Sequence, residues 1–129
     1  MIKKVIRTNE APSPVAKYSQ AIRIDNLLYI QGFIALDPKT SKLVEGDIKV
    51  QAKRVFESIK AVLKAADMSL EDVVKITAFL SNLKDYQGFN EVYNSYFDNE
   101  SPPVRTSVQA QMPFGALLEV DAIAHKATI

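Results

Sequence analysis

A chain of 129 residues that is 47% hydrophobic and 24% charged has the size and composition of one globular domain. Sixteen basic and fifteen acidic residues leave a net charge of +1, without the concentrated positive field that binding to nucleic-acid phosphates requires. There is no cysteine, which excludes disulfides, thiolate metal sites and cysteine nucleophiles and fits a reducing compartment.

The first seven residues, MIKKVIR, carry early positive charge but no following apolar run of signal-peptide length. No stretch approaches the roughly 20 apolar residues of a membrane span. A soluble cytoplasmic protein without a membrane partner is expected. Lys3 to Arg7 reads as a short strand. The segment from Asn9 to Ala16 holds Pro12 and Pro14 and must be irregular, because each proline lacks a donor and biases its predecessor away from helix. Ser19 to Asp25 and Leu27 to Ile30 read as strands joined by an Asp25-Asn26 hairpin turn. Asp37-Pro38-Lys39-Thr40 signals another turn.

Asp47 is placed to cap a long helix. Its Ile48, Ala52, Val55, Phe56, Ile59, Val62, Leu63 and Ala66 recur at three- and four-residue steps and form one apolar stripe. Lys49, Lys53, Lys60 and Lys64 fall mostly off that stripe, on a solvated face. Ser69 with Glu71-Asp72 suggests a short helical turn. Val73 to Leu80 reads as a strand with Val74, Ile76, Ala78 and Leu80 on one face. Asn82 or Asp85 caps a second helix carrying Tyr86, Phe89, Val92, Tyr93, Tyr96 and Phe97. Their helical spacing reads as core packing rather than a base-stacking platform.

Two period-two segments close the chain. On the first, Val104, Thr106, Val108 and Ala110 share one face, and Arg105, Ser107 and Gln109 the other. After the Pro113–Gly115 turn, Leu118, Val120, Ala122 and Ala124 form an apolar face, with Glu119 and Asp121 opposite. The order β-β-β-α-β-α-β-β predicts one α+β domain over residues 1–129, a single mixed sheet with two helices on one face. Two helices can cover only one face of a sheet. The other face is left for water or a second copy. The alternation predicts Arg105, Ser107 and Glu119 together on that uncovered face, beside Phe79 and Ile123, as polar pockets in an oligomer interface.

Nucleotide-binding glycine loops are absent, since neither GxGxxG nor GxxxxGK[ST] occurs. His125 is the only histidine, has no ligand cluster near it, and reads as a solvated strand-end residue, so no metal site is expected. Arg105 has a planar fork that matches a carboxylate and stays charged at any working pH. The residues alone leave two readings of it, an ion pair with Glu119 or Asp121 and a clamp for a ligand carboxylate. Ser107 can hydrogen-bond a small ligand or be an ordinary satisfied hydroxyl. Glu119 can orient or deprotonate a water if partly desolvated.

The pattern Pro103-x-Arg105-x-Ser107, then Pro113-x-Gly115-Ala116-x-x-Glu119-Val120-x-Ala122-Ile123-Ala124, resembles the signature of the Rid (YjgF) family, in particular its RidA subgroup. Ala11-Pro12, Tyr18-Ser19-Gln20-Ala21, Gly32, Asp37-Pro38 with Thr40, and Asn90 with Tyr93 and Phe97 extend the resemblance over essentially the whole chain. It implies a chorismate-mutase-like fold and a homotrimer, with three clefts between neighbouring subunits. The implied activity is cofactor-free hydrolysis of 2-imino acids and their enamine tautomers, such as 2-aminoacrylate, to 2-keto acids and ammonia. By the same resemblance, Arg105 clamps the substrate carboxylate, and Ser107 and the Gly32 backbone hydrogen-bond its polar end. Glu119 holds the attacking water and Tyr18 closes the pocket from a neighbouring subunit. Asn90 supports the cleft. Gln31 precedes Gly32 where serine or threonine is common, Phe33 follows where glutamine is common, and Lys17 precedes Tyr18 where proline is common. Ser107 stands where many members have cysteine. Gln31 and Phe33 therefore bear on pocket size. Two other functions remain: a non-catalytic trimer that binds 2-keto acids or similar carboxylates, and an RNA-acting translation inhibitor. The neutral charge and lone histidine argue against the latter.

Overall fold

A computed structural model describes residues 2–98 and 100–127. The elements run β1 (Lys3–Ile6), β2 (Ala21–Ile24), β3 (Leu27–Phe33), α1 (Ile48–Ala65), β4 (Val73–Leu80), α2 (Tyr86–Tyr96), β5 (Val104–Gln109) and β6 (Leu118–His125). Short 3-10 turns lie at Leu70–Asp72, Leu83–Asp85 and Pro113–Gly115. The strands form one mixed sheet in the order β1-β2-β3-β6-β4-β5. Among the described residues only β4 and β5 run parallel. The expected α+β order and the two-helix, one-sheet architecture are both present. No helix among the described residues is long and apolar enough to cross a membrane.

Local chemistry explains the boundaries. The Asp47 carboxylate accepts the Val50 N–H at 3.0 Å and satisfies one of the unpaired donors at the start of α1. Asp25 turns the β2–β3 hairpin with φ 52°, a left-handed conformation that Asp tolerates better than most residues. Asn82 caps the 3-10 turn before α2 by accepting the Lys84 N–H at 2.9 Å, while Asp85 at the start of α2 makes no side-chain cap bond.

Both helices lie on one face of the sheet. Val55, Phe56, Ile59, Val62 and Leu63 of α1 share one core with Leu28, Ile76, Ala78, Leu80, Leu118 and Val120 of the sheet. Val74, expected on this core face, instead stands exposed. The β4–β6 register shifts between Val73 and Lys75, so Val73 takes the buried position. Phe56 is the centre of the helix layer. Its ring contacts those of Tyr96 at 5.3 Å, Phe97 at 5.8 Å, and Phe89 and Tyr93 at 6.0 Å. Apolar Val5, Tyr29, Val104 and Val108 lie on the opposite, uncovered face, each exposed.

Candidate functional site

The residues singled out in the sequence fall into two separate clusters. The first is built around Gln20, which is buried at the end of the N-terminal loop. Its side chain accepts the Thr8 N–H at 2.8 Å and donates to the carbonyls of Thr8 at 3.0 Å and Pro12 at 2.9 Å. One fully satisfied polar side chain thus fixes the irregular two-proline loop against the sheet. The Gln20 carbonyl also accepts the Gln31 N–H at 2.9 Å.

The β3–β6 register breaks between Ile30 and Phe33, and Gln31 and Gly32 sit in that break. A Cβ on Gly32 would stand 2.5 Å from Glu119 Oε2 and 2.9 Å from its Cδ. Only glycine lets this backbone lie against the carboxylate. Tyr18, Gln31, Gly32, Phe114 and Glu119 line a cavity of about 70 Å³. The Glu119 carboxyl holds its proton to higher pH than an ordinary glutamate, first because burial strips it of water and then because Asp121 adds a like charge. Phe114, at φ 58° and 68% exposed, holds a strained backbone with its ring largely in solvent. Gly32→Ala is expected to displace the Glu119 carboxylate, which can swing aside, and to spare the β3 backbone. We expect ligand affinity at this cavity to fall at least tenfold with less than about 1 kcal/mol lost from urea-unfolding stability. Comparison of the two measurements tests whether Gly32 serves the carboxylate or the fold.

The second cluster surrounds Arg105. In the parallel β4–β5 ladder Arg105 is opposite Ile76 and Ser107 opposite Ala78, both residues of the helix-covered face. The guanidinium lies over the rings of α2, at 4.5 Å from the Tyr93 centroid, 5.5 Å from Tyr86 and 5.6 Å from Phe89. Arg105 Nη2 donates to the Tyr86 hydroxyl at 2.8 Å. Among the described residues no carboxylate pairs with Arg105. The Asn90 side chain and then the Arg105 charge lower the Tyr86 phenol below its usual range, whereas burial raises that of Tyr93. Leu83, Tyr86, Arg105 and Ser107 line an open groove of about 480 Å³.

This arrangement corrects one expectation. Glu119 is opposite Phe79 on the uncovered face, but Arg105 and Ser107 face the helices. The sheet itself stands between Arg105 and Glu119, so they form no ion pair within the chain. The alternation alone makes Val104, Thr106 and Val108 look like the core side of β5. As an edge strand, β5 turns these residues to the uncovered face, where Val104 remains 67% exposed. His125 is exposed at the end of β6, as expected. Sequence reasoning missed Tyr86, which its spacing groups with the core aromatics but which is exposed and bonded to Arg105. Its place as the first residue of α2, rather than deeper in the stripe, was the available signal.

Buried polar atoms mark both clusters. Four buried side-chain atoms lack a hydrogen-bond partner among the described residues, and Gln31 Oε1, Asn90 Oδ1 and Ser107 Oγ are three of them. A buried polar atom without a partner costs about 1–3 kcal/mol, which a ligand or a second chain can recover.

Known proteins resemble this chain over nearly its whole length. Residues 8–126 match the family model described as Endoribonuclease L-PSP. A RutC family protein of Pyrococcus abyssi is 49% identical over 98% of this chain and 99% of its own length. The mouse protein named 2-iminobutanoate/2-iminopropanoate deaminase is 39% identical over 96% of this chain and 92% of its own. The crystal structure of RidA from an Antarctic Psychrobacter superposes with a TM-score of 0.91 at 41% identity, covering 95% of this chain and 99% of that one. With the signature residues, the sheet topology and these near-full-length similarities in agreement, the chain belongs to the Rid (YjgF) family.

Proposed function

We propose that this protein is a homotrimeric hydrolase of 2-imino acids, with the Glu119 cluster of one subunit and the Arg105 cluster of the next forming each cleft. The carrying observation is that unpartnered buried polar atoms concentrate in these two clusters, which cannot meet within one chain. The exposed apolar residues of the uncovered face favour burial against further copies. In the cleft, Arg105 takes the substrate carboxylate in a bidentate pair. Ser107 and the Gly32 backbone bind its polar end. Tyr18 closes the pocket and offers its hydroxyl, while Gln31 and Asn90 border the ligand. Glu119 accepts a proton from water as the oxygen attacks the C2 carbon of the protonated imine. The tetrahedral adduct then receives that proton on nitrogen, and as the C–N bond breaks the C2 hydroxyl gives its own proton to the freed Glu119 carboxylate, so that a 2-keto acid and ammonia leave. A carboxyl whose proton affinity is raised suits both halves of this exchange. The mouse relative's name supports the substrate class.

The test uses iminopyruvate generated in place by an amino-acid oxidase. Wild type should speed its loss, and Arg105→Ala should lose both turnover and 2-keto acid binding. Glu119→Ala should keep binding and lose turnover by at least a hundredfold. Full turnover in Arg105→Ala would sink the reading. Arg105-dependent 2-keto acid binding that survives Glu119→Ala, with no imine turnover by wild type, would instead favour a non-catalytic carboxylate-binding trimer. The description of the matching family as an endoribonuclease favours a second reading, RNA cleavage. Neither cluster contains a histidine to serve as acid or base. Absent or salt-insensitive RNA binding would dispose of it.

A further inference from the structure

Arg105 is half-buried and carries a permanent charge, and among the described residues its guanidinium lies over three aromatic rings and bonds one phenol, with no carboxylate paired to it. The phenol is Tyr86. Its oxygen accepts from Nη2 at 2.8 Å, the position a carboxylate oxygen would take in a bidentate pair. A phenol that accepts a hydrogen bond still has its own hydrogen to donate. Tyr86 stands exposed at the start of α2 and lines the same groove as Arg105 and Ser107. Nearby on that helix, Asn90 Oδ1 is buried without a partner.

We propose that Tyr86 is a second carboxylate-binding group of this site, holding one arm of Arg105 while the site is empty and donating its own hydroxyl hydrogen to the arriving ligand carboxylate. The inference rests on Arg105 being the carboxylate clamp. It adds a residue outside the signature and a pH-sensitive control. A phenolate cannot donate, and it would pair with Arg105 and repel a carboxylate. Binding therefore requires the neutral phenol, so ligand affinity falls as pH rises through the Tyr86 titration. The lowered proton affinity of Tyr86, set by Asn90 and Arg105, brings that fall to lower pH than for an ordinary tyrosine. The groups around Tyr86 are Arg105 and Ser107 of β5, Asn90 of α2, and Leu83 of the preceding turn, which also carries Lys84 and Asp85, while Tyr93 lies against the Arg105 guanidinium. Arg105 stays protonated throughout, and the raised proton affinity of Tyr93 keeps that phenol neutral over the same range.

The experiment measures pyruvate binding calorimetrically from neutral to alkaline pH for wild type and Tyr86→Phe, with iminopyruvate turnover recorded in parallel. Near neutral pH, Tyr86→Phe should bind about tenfold more weakly, the usual effect of losing one hydrogen bond to a charged group. Wild-type affinity should fall with rising pH, and Tyr86→Phe affinity should stay level. Unchanged affinity in Tyr86→Phe overturns the inference. So does a weakening that keeps the wild-type pH dependence, since a merely structural effect would do that. Failure of wild type to bind pyruvate overturns it too. If wild type binds pyruvate with the expected Tyr86 effect but does not turn over iminopyruvate, Tyr86 stands and the deaminase reading fails. If wild type turns over iminopyruvate and Tyr86→Phe keeps its binding profile, the role of Tyr86 fails and the deaminase reading stands.

Discussion

An equimolar mixture of Arg105→Ala and Glu119→Ala chains, unfolded and refolded together, is expected to regain about one quarter of wild-type imine hydrolysis, although neither variant is active alone. The fraction follows from geometry. Arg105 and Glu119 lie on opposite faces of one sheet, so under the proposed function a working cleft takes Glu119 from one subunit and Arg105 from its neighbour. In a randomly mixed ring, a cleft is whole only when an Arg105→Ala chain supplies the glutamate side and a Glu119→Ala chain the arginine side. Each condition holds for about half the subunits, giving about a quarter of the clefts. Differently tagged chains establish that mixing has occurred. Mixed oligomers without recovered activity would mean that one chain's own residues form the site. Any recovery above the separate variants fixes the site between chains.

Phe56→Ala is expected to cost about 4 kcal/mol of folding stability, the largest loss of any single truncation in the helix layer. Phe56 is fully buried and its ring touches four other aromatic rings, three of them in α2 and one just beyond it. Removing it opens a cavity that the stiff neighbouring rings cannot close by rotamer change. Urea denaturation at one fixed protein concentration measures the loss, since assembly would otherwise shift the midpoint. A loss below about 1 kcal/mol would show that α1 and α2 pack more adaptably than their ring contacts imply. Tyr93 and Phe89 support Arg105 from the same layer, so the loss should also weaken 2-keto acid binding.

The elements, their order and most of the residues with unusual chemistry were legible in the linear chain, Tyr86 being the exception. Periodicity carried α1 and its apolar stripe, because a helix that buries one face must repeat at three and four residues. Asp47 and Asp25 were legible because capping and tight turns demand particular local chemistry. The spacing around Arg105, Ser107, Gly115 and Glu119 was legible as a family pattern. Period two also separated Glu119 from Leu118 and Val120 correctly. It could not say which face of the sheet Arg105 joins, because alternation fixes faces within a strand but not between strands. That relation depends on the register of β5 beside β4, a parallel pairing between segments with α2 between them in sequence. On an edge strand the apolar side need not be the core side, since further chains can bury it. It took the folded sheet to put Arg105 under the rings of α2, to give it Tyr86 as a partner, and to stand between it and Glu119.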